Sequence, residues 1–445
     1  MEVLAPALPV VKNPTSKKNS DAQKFVNGEV HNWYRIILGY SDHLVSHLLD
    51  EFKIQPGQIV LDPFCGTGTT LIESKKRGVE AIGIDANPSS CFAARVKTNW
   101  SPNPQTLLDL IEPLTENYSR HERTKRLAQN DPTYAYLKES GMLKRGWISP
   151  RPLRKVLAMK AAIIDLKTQK KYRDLLTLSL ISEVVSSASN VKFGPELYCG
   201  KAKKDHDVLS GVTKRIQTMV DDLKKTSLVK NVPTTVLEGD ARYCGKILHA
   251  SLLERKVDVI ICSPPYPTEH DYTRNSRLEL ALLEEVRDRL SLQRIKRQMV
   301  RSHTKGIYVE DNDSDLVKDY LLINKIATQI EKKAAKKKHG FARLYSKVLK
   351  EYFGGMKRHF SEVKPLLAPG AFCAYVVGDQ SSYLRVHIPT AQILSAIATE
   401  VGFEPVDIRT WRTRWSTTTS RKIEENILIF RNPSINNEKR ENKSK

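Results

Sequence analysis

The run Val257-Asp-Val-Ile-Ile-Cys262 is apolar and rich in β-branched residues, and it stops abruptly at Ser263-Pro264-Pro265-Tyr266. Such a run ended by two prolines predicts a buried parallel strand whose carboxyl end opens into a stiff loop. In open α/β sheets that end is where ligands bind. Adjacent prolines offer carbonyls with no competing N–H, Ser263 offers a hydroxyl, and Tyr266 offers a flat ring with a polar tip. A planar group bearing an exocyclic amine matches this set. The amine would donate to the Ser263 oxygen and a prolyl carbonyl while its ring stacks on Tyr266, as enzymes hold a base taken out of a duplex. Standing alone, the tetrapeptide would read as a proline-stiffened turn after a core strand.

A second stretch carries a different chemistry. Gln58-Ile-Val-Leu-Asp62-Pro-Phe64-Cys-Gly66-Thr-Gly68-Thr-Thr70 predicts a strand over Ile59–Leu61 followed by a glycine-bearing loop, then a helix over Leu71–Arg77 ending at Gly78 and a second strand over Glu80–Asp85. This is a βαβ unit with its glycines at the first turn, where absent side chains let a cofactor approach the backbone. Asp85 follows Gly66 at the spacing of a carboxylate that accepts from both hydroxyls of a ribose. A dinucleotide enzyme would prefer G-x-G-x-x-G, whereas Thr69, Thr70 and Leu71 follow Gly68 here. A third strand, Thr234-Thr-Val-Leu-Glu238-Gly-Asp240, ends in an acid that is either a ligand group or a helix cap.

Asp62-Pro-Phe-Cys-Gly-Thr-Gly-Thr-Thr70, Glu238-Gly-Asp240-Ala and Ser263-Pro-Pro-Tyr266, in this order, resemble the DNA amino-methyltransferases, and with Ser at the head of the last motif the cytosine-N4-specific type of restriction-modification systems. The resemblance covers about half the chain. It implies a Rossmann-like methyltransferase fold of the α/β class, with a mostly parallel seven-stranded sheet and helical insertions. It implies S-adenosylmethionine as cofactor, bound by Asp62, Phe64, Gly66, Gly68, Asp85 and Asp240. The His31-x-Trp33-Tyr34-Arg35 stretch, followed by a Tyr-Ser turn and a helix capped by Ser41, is similar to the segment that packs beside the methionine end of that cofactor. Ser263, Pro264, Pro265 and Tyr266 would then be the catalytic loop, working without metal or covalent intermediate. Cys262 precedes the prolines and reads as core rather than as a nucleophile. Adenine N6 is the first alternative target. A tRNA guanine-N2 enzyme is the second, although it commonly shows Asp before the paired prolines.

These elements need a scaffold, and the rest of the chain supplies it. The sequence has 445 residues, 40% of them hydrophobic, enough for one large domain with insertions or for two. Residues 1–24 read as a flexible arm, 25–100 and 231–432 as the methyltransferase domain, 101–230 as an inserted helical basic subdomain, 285–350 as a second basic insertion and 433–445 as a disordered tail. Between these insertions the order of motifs leaves little room, so target recognition is expected from one of them. Segment Ser187–Lys204 breaks the helical text and reads as a loop reaching the site or as a connector. Helices are expected near Leu153–Leu166 and Asp174–Val185, and Pro405–Trp411 with Glu425–Phe430 as a closing hairpin.

Net charge is +22 with a pI near 9.6, which together with a base-handling loop points to double-stranded DNA as partner. Arg274, Arg277, Lys336 and Lys337 are the candidate phosphate contacts, and a cognate restriction endonuclease is an expected companion. Six scattered cysteines without a CxxC pair argue against a zinc site or a disulfide framework. With no signal peptide and no long apolar run, the expected setting is the cytoplasm, at the nucleoid, with no membrane partner.

Overall fold

Four short runs of Val, Ile, Leu and Ala build the centre of the sheet because each is buried on both faces, as parallel strands covered by helices must be. In the computed structural model, which describes residues 28–34, 39–124, 131–193, 197–226, 229, 231–337, 340–416 and 421–434, the strands are β1 (Ile59–Asp62), β2 (Glu80–Asp85), β3 (Val191–Phe193), β4 (Leu197–Cys199), β5 (Thr234–Glu238), β6 (Val257–Cys262), β7 (Leu367–Gly378), β8 (Glu404–Ser416) and β9 (Arg421–Arg431). Seven of them form one sheet in the order β5-β2-β1-β6-β7-β9-β8, and β3 with β4 forms a separate two-stranded ribbon. The pairs β5–β2, β2–β1, β1–β6 and β6–β7 are parallel, while β9 runs antiparallel between β7 and β8. The expected mostly parallel seven-stranded sheet is therefore present. The predicted arm over 1–24 and most of the predicted tail lie outside the described residues.

Chain order reverses beside β1, whose neighbours are β2 on one side and β6 on the other. At such a reversal the crossovers leave in opposite directions and open a crevice at the carboxyl ends of the two strands. The register Val60↔Val259 and Leu61↔Ile260 brings Asp62 level with Ile261, so Ser263 emerges just beyond the end of β1.

Side-chain alternation divides the sheet's covering into two apolar layers. Leu44, Val45, Leu48 and Leu49 of the helix Asp42–Glu51, with Leu71, Cys91 and Ala94, cover Val60, Ala81, Val259, Ile261, Ala374 and Val376. On the other face Leu61, Ile260, Cys262, Tyr375 and Phe430 meet the helices Leu321–Ala334, Tyr345–Val363 and Thr390–Glu400. Part of segment 285–350 is thus built into the cover of the sheet. A third cluster joins the helices between Pro104 and Lys225 to Trp33, Tyr34 and Leu278–Leu282.

The helices at Pro150–Asp165 and Lys170–Glu183 lie where the apolar spacing places them, the second continuing into a π-helical turn at Val184–Ala188. Pro369-Gly370 sits inside β7 as an irregularity in its pairing with β6, with Gly370 at φ +80°. The closing hairpin is longer than its apolar residues suggest, because pairing from Arg412↔Glu425 to Ser416↔Arg421 continues past the end of β7.

Candidate active site

The first wall of the crevice is the loop after β1. Cys65 donates to the Ile84 carbonyl at 2.9 Å, Gly68 to the Cys65 carbonyl at 2.8 Å, and Gly66 to the Asp85 carboxylate at 2.9 Å. Gly66 has φ +50° and Gly68 φ +87°, backbone that L side chains rarely adopt. The two glycines differ in what lies over them. A Cβ at Gly68 would meet Ala94 Cβ at 3.2 Å, so Gly68 permits close packing on the helix Pro88–Thr98, whereas a Cβ at Gly66 would meet nothing within 4 Å. Gly66 therefore exposes bare backbone to open space. Beneath the loop the fully buried Lys97 donates to the Thr67 carbonyl at 3.0 Å, and burial pushes its ammonium down to about 7.

Asp85 ends β2 and receives Gly66 N on one oxygen and Asn87 N on the other, at 2.9 and 2.7 Å. Burial lifts its carboxyl to about 6, although both backbone donors favour the charged form. Each oxygen keeps a lone pair, and two ribose hydroxyls would be further donors to a carboxylate short of solvation. The open backbone at Gly66 and the acceptor pair on Asp85 thus fit the adenosine end of S-adenosylmethionine. Asp240 is differently engaged. It caps the turn Ala241–Tyr243 by accepting from Arg242 N at 2.9 Å, and both its oxygens also receive the Arg242 guanidinium, the shorter contact being 2.6 Å. That guanidinium reaches on to Asp313 at 2.6 Å.

Asp62 is buried at the tip of β1, accepting from Tyr40 Oη at 2.9 Å and Phe64 N at 3.0 Å. Burial raises it to about 7, against those hydrogen bonds. Tyr40 also meets the hydroxyl of Thr70, which donates to the Ile261 carbonyl at 3.1 Å. Through Tyr40 and Thr70 the loop after β1 is joined to the last turns of β6. Sequence reading missed Tyr40. Its only local signal is the Gly39-Tyr40-Ser41 punctuation ahead of a helix.

The second wall is Ser263–Tyr266. Ser263 donates to the Val376 carbonyl at 3.1 Å and stands 3.3 Å from Tyr266 Oη, and Tyr266 N donates to Tyr272 Oη at 3.1 Å. Pro264 is buried, while Ser263, Pro265 and Tyr266 are half-buried at the crevice. The Tyr266 ring lies against Gly378 at the end of β7, beside Gln380 and Glu425. Glu425 is buried and receives Arg412 of β8. Phe64 and Tyr266 both flank the apolar layer around Cys262 and Tyr375, Phe64 edge-on to His359 with centroids 5.0 Å apart. Cys262 itself is buried in that layer, and burial pushes its thiol well up, consistent with core.

Other expected residues lie elsewhere. Trp33 and Tyr34 are each 2% exposed within the helical cluster, where Trp33 Nε1 donates to Asp222 at 2.8 Å and Tyr34 Oη to Glu279 at 2.6 Å. These two hydrogen bonds tie the amino-terminal segment to the helices Val208–Lys225 and Arg277–Leu282. Arg35 lies outside the described residues. Their neighbour His31 contacts Glu73 at 2.8 Å, and together with Asp42 these donors lie within 4.8 Å of one another. Burial would raise Glu73, but His31 and Lys76 hold it down at about 2. Arg274 is exposed and Arg277 half-buried on the segment that follows Ser263–Tyr266. Lys336 and Lys337 stand exposed past the helix Leu321–Ala334, and among the described residues nothing ties them to the crevice.

Residues 34–95, which include the whole loop after β1, match the DNA methylase family. The chain is similar along most of its length to the type II methyltransferase M.BsoBI of Geobacillus stearothermophilus, 25% identical over 432 residues that cover 87% of this chain and 81% of that protein. The type II methyltransferase M.AvaI of Nostoc is 26% identical over 405 residues, 84% and 79% of the two chains. M.MvaI of Kocuria varians, also a type II methyltransferase, is 23% identical over 421 residues, 86% and 85%. Among the described residues no helix is long and apolar enough to cross a membrane.

Proposed function

We propose that this chain, a member of the DNA methylase family that acts on exocyclic N6 or N4 amines, methylates the N4 of cytosine in duplex DNA at a specific site within a restriction-modification system. The observation that carries the choice of an amine is the state of the Ser263 hydroxyl. Its single proton is committed to the Val376 carbonyl, which can only accept, so Ser263 has lone pairs alone to offer a substrate. A group that accepts and does not donate suits an N–H. Serine rather than aspartate at that place favours cytosine over adenine, by the resemblance of the motif.

S-Adenosylmethionine supplies an electrophilic methyl group when bound. In this reading Gly66 and Asp85 hold it, Gly68 lets the loop pack closely enough on the helix Pro88–Thr98 to leave that room, and Asp62 and Phe64 lie behind the loop. Asp240 acts through Arg242 in shaping that side of the crevice, since its oxygens are already shared. Ser263 and the carbonyl of Pro264 take the two amine hydrogens, which turns the nitrogen lone pair out of conjugation with the ring and toward the methyl. Tyr266 stacks on the base. The rate gain comes from alignment and from acceptors placed where positive charge develops on nitrogen. Arg274 and Arg277 grip the phosphates beside the withdrawn base. The basic helical segment 101–230, with exposed Lys336 and Lys337, supplies the wider recognition surface, and a cognate endonuclease would share the target sequence.

The test is to incubate the protein with radiolabelled cofactor and duplex DNA of mixed sequence, digest to nucleosides and identify the labelled one. N4-methyldeoxycytidine is the expected product. Label on deoxyadenosine would move the reading to adenine N6, and label only on an RNA substrate would overturn it.

A further inference from the structure

We infer that the β3–β4 ribbon enters the DNA beside the target nucleotide and that Tyr198 fills the space this nucleotide leaves in the base stack. The inference rests on the DNA reading above and adds to it an element with a stated task. The ribbon pairs Val191↔Cys199, Lys192↔Tyr198 and Phe193↔Leu197. Val191 and Leu197 are buried against the helical cluster, while Phe193 is 40% and Tyr198 57% exposed. Tyr198 is held mostly in solvent on a short ribbon, and Lys192 directly across from it, with Lys201 and Lys204 exposed just after it, fits this face to an anionic partner.

The ribbon's base is rigid, which an isolated pair of strands would not be. Asn190 donates to the Gly146 carbonyl at 2.9 Å and to Ser149 Oγ at 3.0 Å, and its side-chain oxygen accepts from Lys203 N at 3.0 Å. Gly200 N closes the ribbon onto the Asn190 carbonyl at 2.7 Å. The π-helical turn Val184–Ala188, a form that recurs at functional sites, leads directly into it.

Its place beside the catalytic loop is given by two hydrogen bonds. Tyr266 N donates to Tyr272 Oη, and Arg274, two residues on, donates to the Leu197 carbonyl at 3.4 Å. A two-stranded ribbon is narrow enough for a DNA groove, and a flat side chain wedged between base steps offsets the stacking lost when a nucleotide is turned out. Lysines on the flanks meet the adjoining phosphates.

The experiment compares wild type, Tyr198→Ala and Tyr198→Phe, all full-length, on a fully paired target duplex and on the same duplex with the target cytosine mispaired. Mispairing lowers the cost of turning the base out, so a gap-filling ring matters less there. Tyr198→Ala is expected to lose about tenfold in kcat/KM on the paired duplex and to stay close to wild type on the mispaired one, with Tyr198→Phe close to wild type on both. An equal loss on the two substrates, or none, overturns the inference. A second readout needs no turnover. Cys199 is exposed while the other five cysteines are buried, so its alkylation by a maleimide reports the ribbon directly. Target duplex should protect Cys199, and unchanged labelling would overturn the placement. If wild type methylates no DNA at all, the underlying reading has failed, an outcome distinct from a failure confined to Tyr198.

Discussion

The ring of Tyr266 rests on the backbone of Gly378: a Cβ added to that glycine would lie 3.1 Å from Tyr266 Cε2 and equally close to Gln380 Nε2. The last residue of β7 thereby sets how far the Tyr266 ring can withdraw into the sheet. Gly378→Ala should push the ring by a few tenths of an ångström and lower kcat several-fold, because misplacement of this order is costly at a reacting centre. In a Tyr266→Ala background the same substitution should do almost nothing further. Turnover of the two single variants and the double variant tests this, and additive losses would show that Gly378 acts by another route.

Ser263→Ala removes the acceptor whose proton is fixed on Val376. A loss of about 10²–10³ in kcat is expected, the cost of deleting one charge-stabilising partner in a preorganised site. Cofactor binding by calorimetry should be unchanged. A variant that binds cofactor poorly would place Ser263 on the wrong side of the crevice.

Asp85→Ala deletes both acceptors at the end of β2 and frees Gly66 N and Asn87 N. Two hydrogen bonds to a charged group are each worth about 1.5–3 kcal/mol, so cofactor affinity should fall about 100-fold or more. Equilibrium dialysis with labelled cofactor decides it, and an unaltered affinity would move the ribose site elsewhere.

Asp62 titrates at about 7 when folded, above its ordinary carboxylate range, because burial disfavours its charge. A raised carboxyl binds a proton that the unfolded chain has already released. Its stabilising contribution is complete below the unfolded value near 4 and is lost as pH rises toward 7. Asp62→Asn keeps an acceptor for Tyr40 but does not titrate. The melting temperature of the variant relative to wild type should therefore climb by about 2 °C or more between pH 4.5 and 8. A constant difference would mean that Asp62 is ionised throughout.

DNA binding should weaken steeply with salt, since a chain of net charge +22 that grips phosphates releases counterions on binding. Replacing Arg274 by Ala should flatten the slope of log affinity against log salt by about one. A slope that stays the same would remove Arg274 from the phosphate contacts.

The parts of this protein written in short stretches of text were legible without a structure. A β-branched run closed by Pro264-Pro265 has few backbone options, and the loop from Asp62 to Thr70 combines glycines at left-handed φ with strands on both sides, so motif and local geometry imply each other. The βαβ order and the burial of Cys262 followed from the same local rules, while the mostly parallel seven-stranded sheet was implied by the resemblance of the motifs. What the chain could not reveal are contacts between residues far apart in it. Trp33 meets Asp222 189 residues away and Tyr34 meets Glu279 245 residues away, contacts that join the amino-terminal segment to the helices. Arg242 likewise meets Asp313, 71 residues away, and the fold of the segments between Trp100 and Pro233 decided that Tyr198 stands in solvent. Local propensity selects strand, loop and helix, but which surface a side chain meets is a property of packing, and packing exists only once the whole chain has closed around its core.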